Sequence, residues 1–375
     1  MQSDGADVVI VGAGVIGCAT AYFLSKEGMK VVVVEQDSIG DHASGFSAGL
    51  LSPIPRISKE VLRPMRQEGY QMHKVLYQQL KEEAGMDYYF REAARMELAF
   101  TEAEVNELKL WVDTAQKRWG KLRWLDKEDV YSIESRVSDE VMGASYSEDG
   151  GKVDSYRFVL ALAQAAEKNG VEIRHGQVNG LVKDGTRVTA VKLSSRDIPC
   201  DRTILAMGPW AETASSWLGV PIPVRPQRGQ VLRLRASGPP FLSVLSRAGY
   251  YITPTTHDGL IYVGTTHDEV GFNDRITEEA KTSIINSGLP MVPSLVEAEL
   301  VLQTACLRPL PVDELPIIGK VPGWDNAYLA TGHWTSGILY SPITARIMTD
   351  LIIKGTTPIS IESFAPDRFL SGKER

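Results

Sequence analysis

Three glycines and one carboxylate are the first residues in this chain whose spacing suggests chemistry. In "DVVIVGAGVIGCATAYFLSKEGMKVVVVEQ" they are Gly12, Gly14, Gly17 and Glu35. Gly12 permits a tight turn, Gly14 lets backbone approach a pyrophosphate, and Gly17 lets a helix lie close to the strand before it. Glu35 ends the next apolar run, where its carboxylate can accept hydrogen bonds from a ribose diol. That carboxylate favours an unphosphorylated ribose, hence NAD or FAD rather than NADP. A second candidate is Arg308 in "CLRPLPVDELPIIGK". A guanidinium cannot be neutralised in a protein. Its partner is either Asp313 or Glu314, close in sequence, or something the rest of the chain builds around it. Cys306 lies two residues upstream.

Definite elements must position these groups. Residues 8–11 are an apolar, β-branched run, as a buried parallel strand requires. Residues 15–27 read as a helix whose positive N-terminus faces the phosphates, with Gly28 closing it. Residues 31–34 read as a second buried strand. The competing reading is a βαβ unit with a tight turn and no ligand. The next stretch, "GDHASGFSAGLLSP" over 40–53, is too irregular for the third strand and helix of an NAD domain. It suits a loop threaded against a large flat cofactor, with Ser44 and Ser47 available to its oxygens. An ordinary surface loop is the alternative. Near the other end, residues 327–330 read as a strand, 332–337 as a glycine-rich loop and 338–353 as an amphipathic helix. The chain thus returns to the domain it began. A positive helix end there would stabilise the negative charge that a reduced flavin carries near N1 and C2=O. Otherwise this helix only covers the sheet.

Composition narrows the class. The chain has 375 residues, an ordinary apolar fraction and a net charge of −7, which allow a sizeable core. No basic stripe marks a nucleic-acid binder. The three cysteines, Cys18, Cys200 and Cys306, form neither a CxxC pair nor a metal spacing, so no metal and a reducing compartment are expected. No charged n-region precedes the first apolar run, and no apolar stretch approaches the ~20 residues that span a bilayer. A cytoplasmic protein is the expectation.

With these pieces in order, the chain resembles the FAD-dependent amine and amino-acid oxidoreductases typified by glycine oxidase, D-amino-acid oxidase and dehydrogenase, and monomeric sarcosine oxidase. Besides the opening motif, the matching segments are "HASGFSAGLLSP", "GGKVDSYRFVLALAQAAEKNGVEI", "GQVNGL", "TILAMGPWA", "VRPQRGQVL", "YYITPTTHDGLIYVGTTHDEVGF", "CLRPLPVDELPIIG" and "TGHWTSGILYSP". The pattern is glycine-oxidase-like. The resemblance implies that Gly12, Gly14, Val15, Ile16, Gly17, Glu35 and Gln36 hold the ADP half of FAD. It implies that His42, Ala43, Ser44, Ser47, Ala48, Gly49 and Leu50 line the pyrophosphate and the flavin. Val178 would contact adenine, and Ala206, Gly208 and Trp210 belong to the "AMGPW" turn. Gly332, His333, Thr335, Ser336, Gly337 and Ile338 would wrap the pyrimidine end. Arg308 matches the family's carboxylate-binding arginine and Tyr251 a tyrosine that fixes the same carboxylate, with Tyr250 as its neighbour.

The implied fold is α/β: a discontinuous, Rossmann-like FAD-binding domain (1–85, 148–220, 308–375) interleaved with an antiparallel-sheet substrate domain (86–147, 221–307). The sequence agrees with helices over 61–80, 102–119 and 156–169, the last capped by Asp154, with strands over 171–174 and 187–193, and with strand-like runs between 228 and 264. The implied reaction moves a hydride from the Cα of a small amino acid or secondary amine to flavin N5, and water hydrolyses the imine. Departures are visible. Thr335 or Ser336 stands where glycine-oxidase-like enzymes often carry an arginine, and Tyr262 stands where sarcosine oxidase carries an oxygen-activating lysine. The acceptor is therefore oxygen or another compound. The alternatives are a dye-linked dehydrogenase for proline-like or N-methyl amino acids, or a flavin-carrying electron-transfer subunit. FAD is expected to be non-covalent; Cys306 lies near where some sarcosine-oxidase-like members attach it. A homo-oligomer is possible. His257, His267 and Glu269 sit on strand ends where any could meet substrate, and otherwise read as turn residues.

Overall fold

The computed structural model describes residues 5–56, 59–255 and 257–370. It contains two eight-stranded sheets and a short three-stranded one. The first sheet is centred on Ala6–Val11, which pairs in parallel with Val31–Glu35 on one side and Asp197–Leu205 on the other. Glu172–His175 extends it in parallel beyond Val31–Glu35. This strand occupies the place that residues 40–53 do not fill. Ala327–Thr331 lies parallel to Asp197–Leu205, so the C-terminal part of the chain does rejoin the opening sheet. Val31 to Val34 are all buried, the pattern of a parallel strand covered on both faces.

Helices Val15–Lys26, Arg63–Ala84, Ser155–Lys168 and Gly337–Lys354 share one apolar core with this sheet. Their ends follow local chemistry. Asp154 accepts the Arg157 N–H at 2.9 Å and starts Ser155–Lys168, as an N-cap should. Gly28 adopts φ +78° just past Val15–Lys26. The long helix begins at Arg63 rather than 61, because Glu60–Leu62 forms a 3₁₀ turn and Pro64 sits in the first helical turn, where its missing N–H costs nothing. It runs on to Ala84, where Gly85 closes it at φ +71°.

The second sheet runs in the order Glu299–Pro311, Val224–Arg235, Ile261–Gly264, Tyr250–Pro254, Val244–Arg247, Arg95–Ala99, Gly143–Ser147, Leu122–Asp126. Every pair is antiparallel except Val244–Arg247 with Arg95–Ala99, which is parallel. Those two strands are joined by a long crossover rather than a hairpin, so either direction is open to them. Helix Glu102–Trp119 begins with a capping box between Thr101 and Glu104. In helix Arg63–Ala84, Met65 is buried in the first core, while in Glu102–Trp119 Trp111 and Trp119 pack on a small cluster around Val112. These are core roles, as the helical spacing indicates. The longest pairing, Val224–Arg235 with Glu299–Pro311, carries Arg308 opposite Gln227 and Cys306 opposite Gly229.

Candidate active site

One cleft runs from the glycine motif to Arg308. Of the expected cofactor residues, Gly12, Gly14, Val15, Ile16, Glu35, Gln36, His42, Ala43, Ser44, Ser47, Ala48, Val178, Ala206, Gly208, Trp210, Gly332, His333, Thr335, Gly337 and Ile338 line it, together with Cys306 and Arg308. Gly12 has φ +106°, and a Cβ there would meet the Ala206 carbonyl at 2.5 Å. Gly17 is off the cleft: its Cβ would sit 1.9 Å from the Gly12 carbonyl. It performs the packing task read from the motif, bringing helix against strand. The Glu35 carboxylate accepts N–H bonds from Ala13 (2.7 Å) and Asp37 (3.0 Å), which fixes it at the strand end. Ser44 Oγ accepts the Val15 N–H at 3.0 Å, so the loop 40–53 is tied to the helix N-terminus.

Gly49, Leu50, Ser336 and Tyr251 stand outside the lining. Gly49, at φ +69°, presses on the Val153 carbonyl. Leu50 pairs with Lys152 in the three-stranded sheet. Ser336 accepts a bond from Arg66 Nη2 at 3.2 Å. Arg66 also donates to Ser52 O at 3.1 Å and lies over the Tyr340 ring. An arginine therefore does reach the loop that lacks one, but helix Arg63–Ala84 supplies it. Tyr251 is half-buried beside Gly264, across the sheet from Arg308. Burial pushes its phenol above the ordinary value, with Arg308 opposing. Tyr250 points away, its hydroxyl 3.0 Å from Ser283 on the helix Glu278–Gly288.

Arg308 is the decisive group. Its Nη1 donates to Thr266 O at 2.9 Å and its Nη2 to Thr265 Oγ1 at 2.7 Å. Neither sequence-near carboxylate pairs with it: Asp313 binds Arg368 and Glu314 lies by Lys59. Among the described residues no carboxylate lies within 4 Å of Arg308. The guanidinium rests over Gly229, where a Cβ would fall 2.0 Å from Nη2. His267 stands beside it, Nδ1 3.4 Å from Nη1 and 3.1 Å from Gln227 Oε1. Although the residue is exposed, desolvation by its neighbours first, and Arg308 second, hold this imidazole down to about 4. Gln227 Oε1 also accepts the Trp334 indole N–H at 2.8 Å. Of the three residues read as turns, His267 thus belongs to the site. Glu269 pairs with Arg225, and His257 stacks on Tyr89.

Sequence reasoning missed Trp334 and Phe46 in the lining, the space made by Gly229, and Arg66. Trp334 lay inside the quoted "TGHWTSG" and was legible as an aromatic in a cofactor loop. Gly229 and Arg66 act only through contacts distant in sequence.

His333 is fully buried, its Nε2 3.0 Å from Thr344 Oγ1, and burial lowers it to about 3. The Cys306 thiol lines the cleft, and burial raises its pKa. The residues present fit FAD: glycine turns that a Cβ would fill, a helix N-terminus, a strand-end carboxylate, and a second helix N-terminus at Gly337 and Ile338. No His, Cys, Asp or Glu cluster suited to a metal occurs among the described residues.

Comparison with known proteins agrees with this architecture. Residues 7–351 match the family DAO, FAD dependent oxidoreductase. The chain belongs to that family. It is 30% identical over 365 residues to a glycine oxidase of Pseudomonas aeruginosa, covering 94% of this chain and 96% of that protein. Among solved structures, glycine oxidase from Geobacillus kaustophilus superposes with a TM-score of 0.93 at 26% identity, covering 97% of this chain and 98% of that one. Glycine oxidase from Bacillus cereus gives 0.91 at 29% identity, covering 99% of each. The protein is an FAD-dependent enzyme of the amino-acid oxidase kind that oxidises amino acids or amines. No helix among the described residues is long and apolar enough to cross a membrane.

Proposed function

We propose that this DAO family member oxidises a small α-amino acid or N-substituted amino acid of the glycine or sarcosine type to its imine, which water then hydrolyses. The observation that carries the reading is Arg308: a guanidinium lining the cofactor cleft, held by neutral groups and paired with no carboxylate among the described residues. A cation in that state gains a bidentate, charge-assisted partner when a carboxylate arrives. Thr265 and Thr266 fix the fork's orientation, and Gly229 gives it room. The resemblance assigns Tyr251, whose ionisation Arg308 influences, to the same carboxylate. His267 stays neutral at physiological pH, so it leaves the charge of Arg308 to the substrate. The names of the similar glycine oxidases support the substrate class.

Bound in the cleft, FAD supplies the hydride acceptor at its N5. The chain's own residues hold the ADP half through Gly12, Gly14 and Glu35, and place positive backbone ends at Val15 and Gly337. Attachment is non-covalent in this reading. The raised pKa of Cys306 keeps it a thiol rather than the thiolate that covalent attachment calls for.

One observation favours a second acceptor. By the resemblance, Tyr262 rather than a lysine stands where sarcosine oxidase carries its oxygen-activating lysine, and its ring lies under Arg233. That supports a dehydrogenase passing electrons to a compound other than oxygen. Anaerobic mixing with glycine, sarcosine, both prolines, and D- and L-amino acids tests the reading. Bleaching of the flavin by a small amino acid is expected, and a flavin that none of them reduces would overturn the proposal. Turnover with oxygen against an artificial dye then separates the acceptors.

A further inference from the structure

A second cavity, of about 400 Å³, lies across the segment 43–48 from the cofactor cleft; Phe46 and Ala48 line both. Its polar walls come from distant parts of the chain. Lys152 and Asp154 lead into helix Ser155–Lys168, Arg233 and Tyr262 face each other across two paired strands, and Asp258 comes from the turn between strands.

The charges here are unevenly satisfied. Lys152 is 5% exposed, yet its ammonium has one long contact, Thr253 Oγ1 at 3.4 Å. Among the described residues no carboxylate lies within 4 Å of it. Burial lowers it to about 7, with Asp258 opposing. Arg233 Nε is buried without a hydrogen-bond partner among the described residues, while its guanidinium lies 5.0 Å over the Tyr262 ring. The buried donors are thus in excess.

The carboxylates are already engaged. Asp258 Oδ1 accepts the Leu260 N–H at 3.0 Å and the Thr255 hydroxyl. Asp154 Oδ1 caps its helix, and its Oδ2 lies 3.4 Å from His257 Nδ1. Asp41 is exposed at the rim. Buried charges and donors without partners are costly, and an incoming group that accepts hydrogen bonds relieves both at once.

We propose that this cavity is an oxyanion site, separate from Arg308, which holds a small carboxylate or phosphate between Lys152 and Arg233. The N-terminus of helix Ser155–Lys168, at the same wall, adds a favourable field. The site stands whatever the oxidised substrate proves to be.

Calorimetric titration of the FAD-bound protein with acetate, and separately with inorganic phosphate, tests it. Arg308 also attracts carboxylates, so each titration is run on the wild type, Lys152→Met and Arg308→Met. In wild type at least one of the two anions binds at millimolar concentration. Lys152→Met weakens that binding roughly tenfold or more, as loss of a charge-assisted hydrogen bond requires, and Arg308→Met retains it. The tighter of the two anions names the chemical source. If Lys152→Met fails to fold, Arg233→Gln serves in its place and shows the same loss. Wild-type isotherms in either Lys152→Met or Arg233→Gln, binding lost only with Arg308→Met, or no binding of either anion would overturn the proposal.

Discussion

The two ends of the cleft use glycine in opposite ways. At the first sheet, Gly12 and Gly17 bring backbone against backbone: each missing Cβ would strike a carbonyl, at 2.5 and 1.9 Å. At the second sheet, Gly229 makes room for a side chain, the guanidinium of Arg308. A backbone carbonyl has nowhere to go, whereas the far end of an arginine can swing aside. The first end is built from rigid main chain and suits a cofactor retained through many turnovers. The second is built from an adjustable charge and suits a substrate that comes and goes.

The largest effect should come from breaking the rigid end. Gly17→Ala puts a methyl 1.9 Å from the Gly12 carbonyl, an overlap that only a parting of helix and strand can relieve. The variant is expected to purify with little or no FAD, read from its absorption spectrum. Full FAD occupancy would show that helix and strand can part there.

Next comes the charge itself. Arg308→Met removes a desolvated, charge-assisted contact of about 2–5 kcal/mol, so KM for a carboxylate substrate should rise roughly 30-fold or more while FAD stays bound. An unchanged KM would remove Arg308 from substrate binding. Gly229→Ala is the finer probe of the contrast. Arg308 should shift off its preferred rotamer at about 0.5–1.5 kcal/mol, raising KM roughly threefold to tenfold. Loss of FAD instead would mean that the second end is as rigid as the first.

The contrast also explains what the sequence could disclose. Around Gly12 the decisive relations are local, a strand, a turn, a helix and an acid within one stretch, so periodicity and spacing reveal them. The helix Glu102–Trp119 and the strand Arg187–Leu193 have the bounds that their patterns predict. Around Arg308 the relations are set by register. Gly229 faces Cys306 only because Val224–Arg235 pairs with Glu299–Pro311. The link from Trp334 through Gln227 to His267 joins three separate segments. No local pattern signals such contacts, and the carboxylate-binding role of Arg308 was legible only through family resemblance. His267, read as a turn residue, carries no periodic signature of its contact with Arg308.

Two buried histidines, His73 and His333, give a smaller, pH-dependent effect. His333 is lowered to about 3 and His73 to about 4, each mainly by burial. Below pH 6.5 the unfolded chain takes up protons that these folded imidazoles decline. Their contribution to stability is therefore complete above pH 6.5 and falls as pH drops toward 4. The melting temperature should decline over that window, and His73→Gln, which keeps a donor for the Ile338 carbonyl, should flatten the decline. A slope identical to wild type would mean that His73 titrates normally.

The smallest effect belongs to a position at neither end, and it calibrates the rest. Thr101 caps helix Glu102–Trp119: its Oγ1 accepts the Glu104 N–H at 3.2 Å, and Glu104 Oε2 accepts its N–H at 2.9 Å. Thr101→Ala should cost about 1 kcal/mol and lower the melting temperature by roughly 1–2 °C. Neither FAD occupancy nor KM should move, because the cap touches neither Gly17 nor Arg308. If a loss this small did change either readout, general loosening of the fold would reach both ends. The effects of Gly17→Ala and Arg308→Met would then report on stability rather than on two differently built sites.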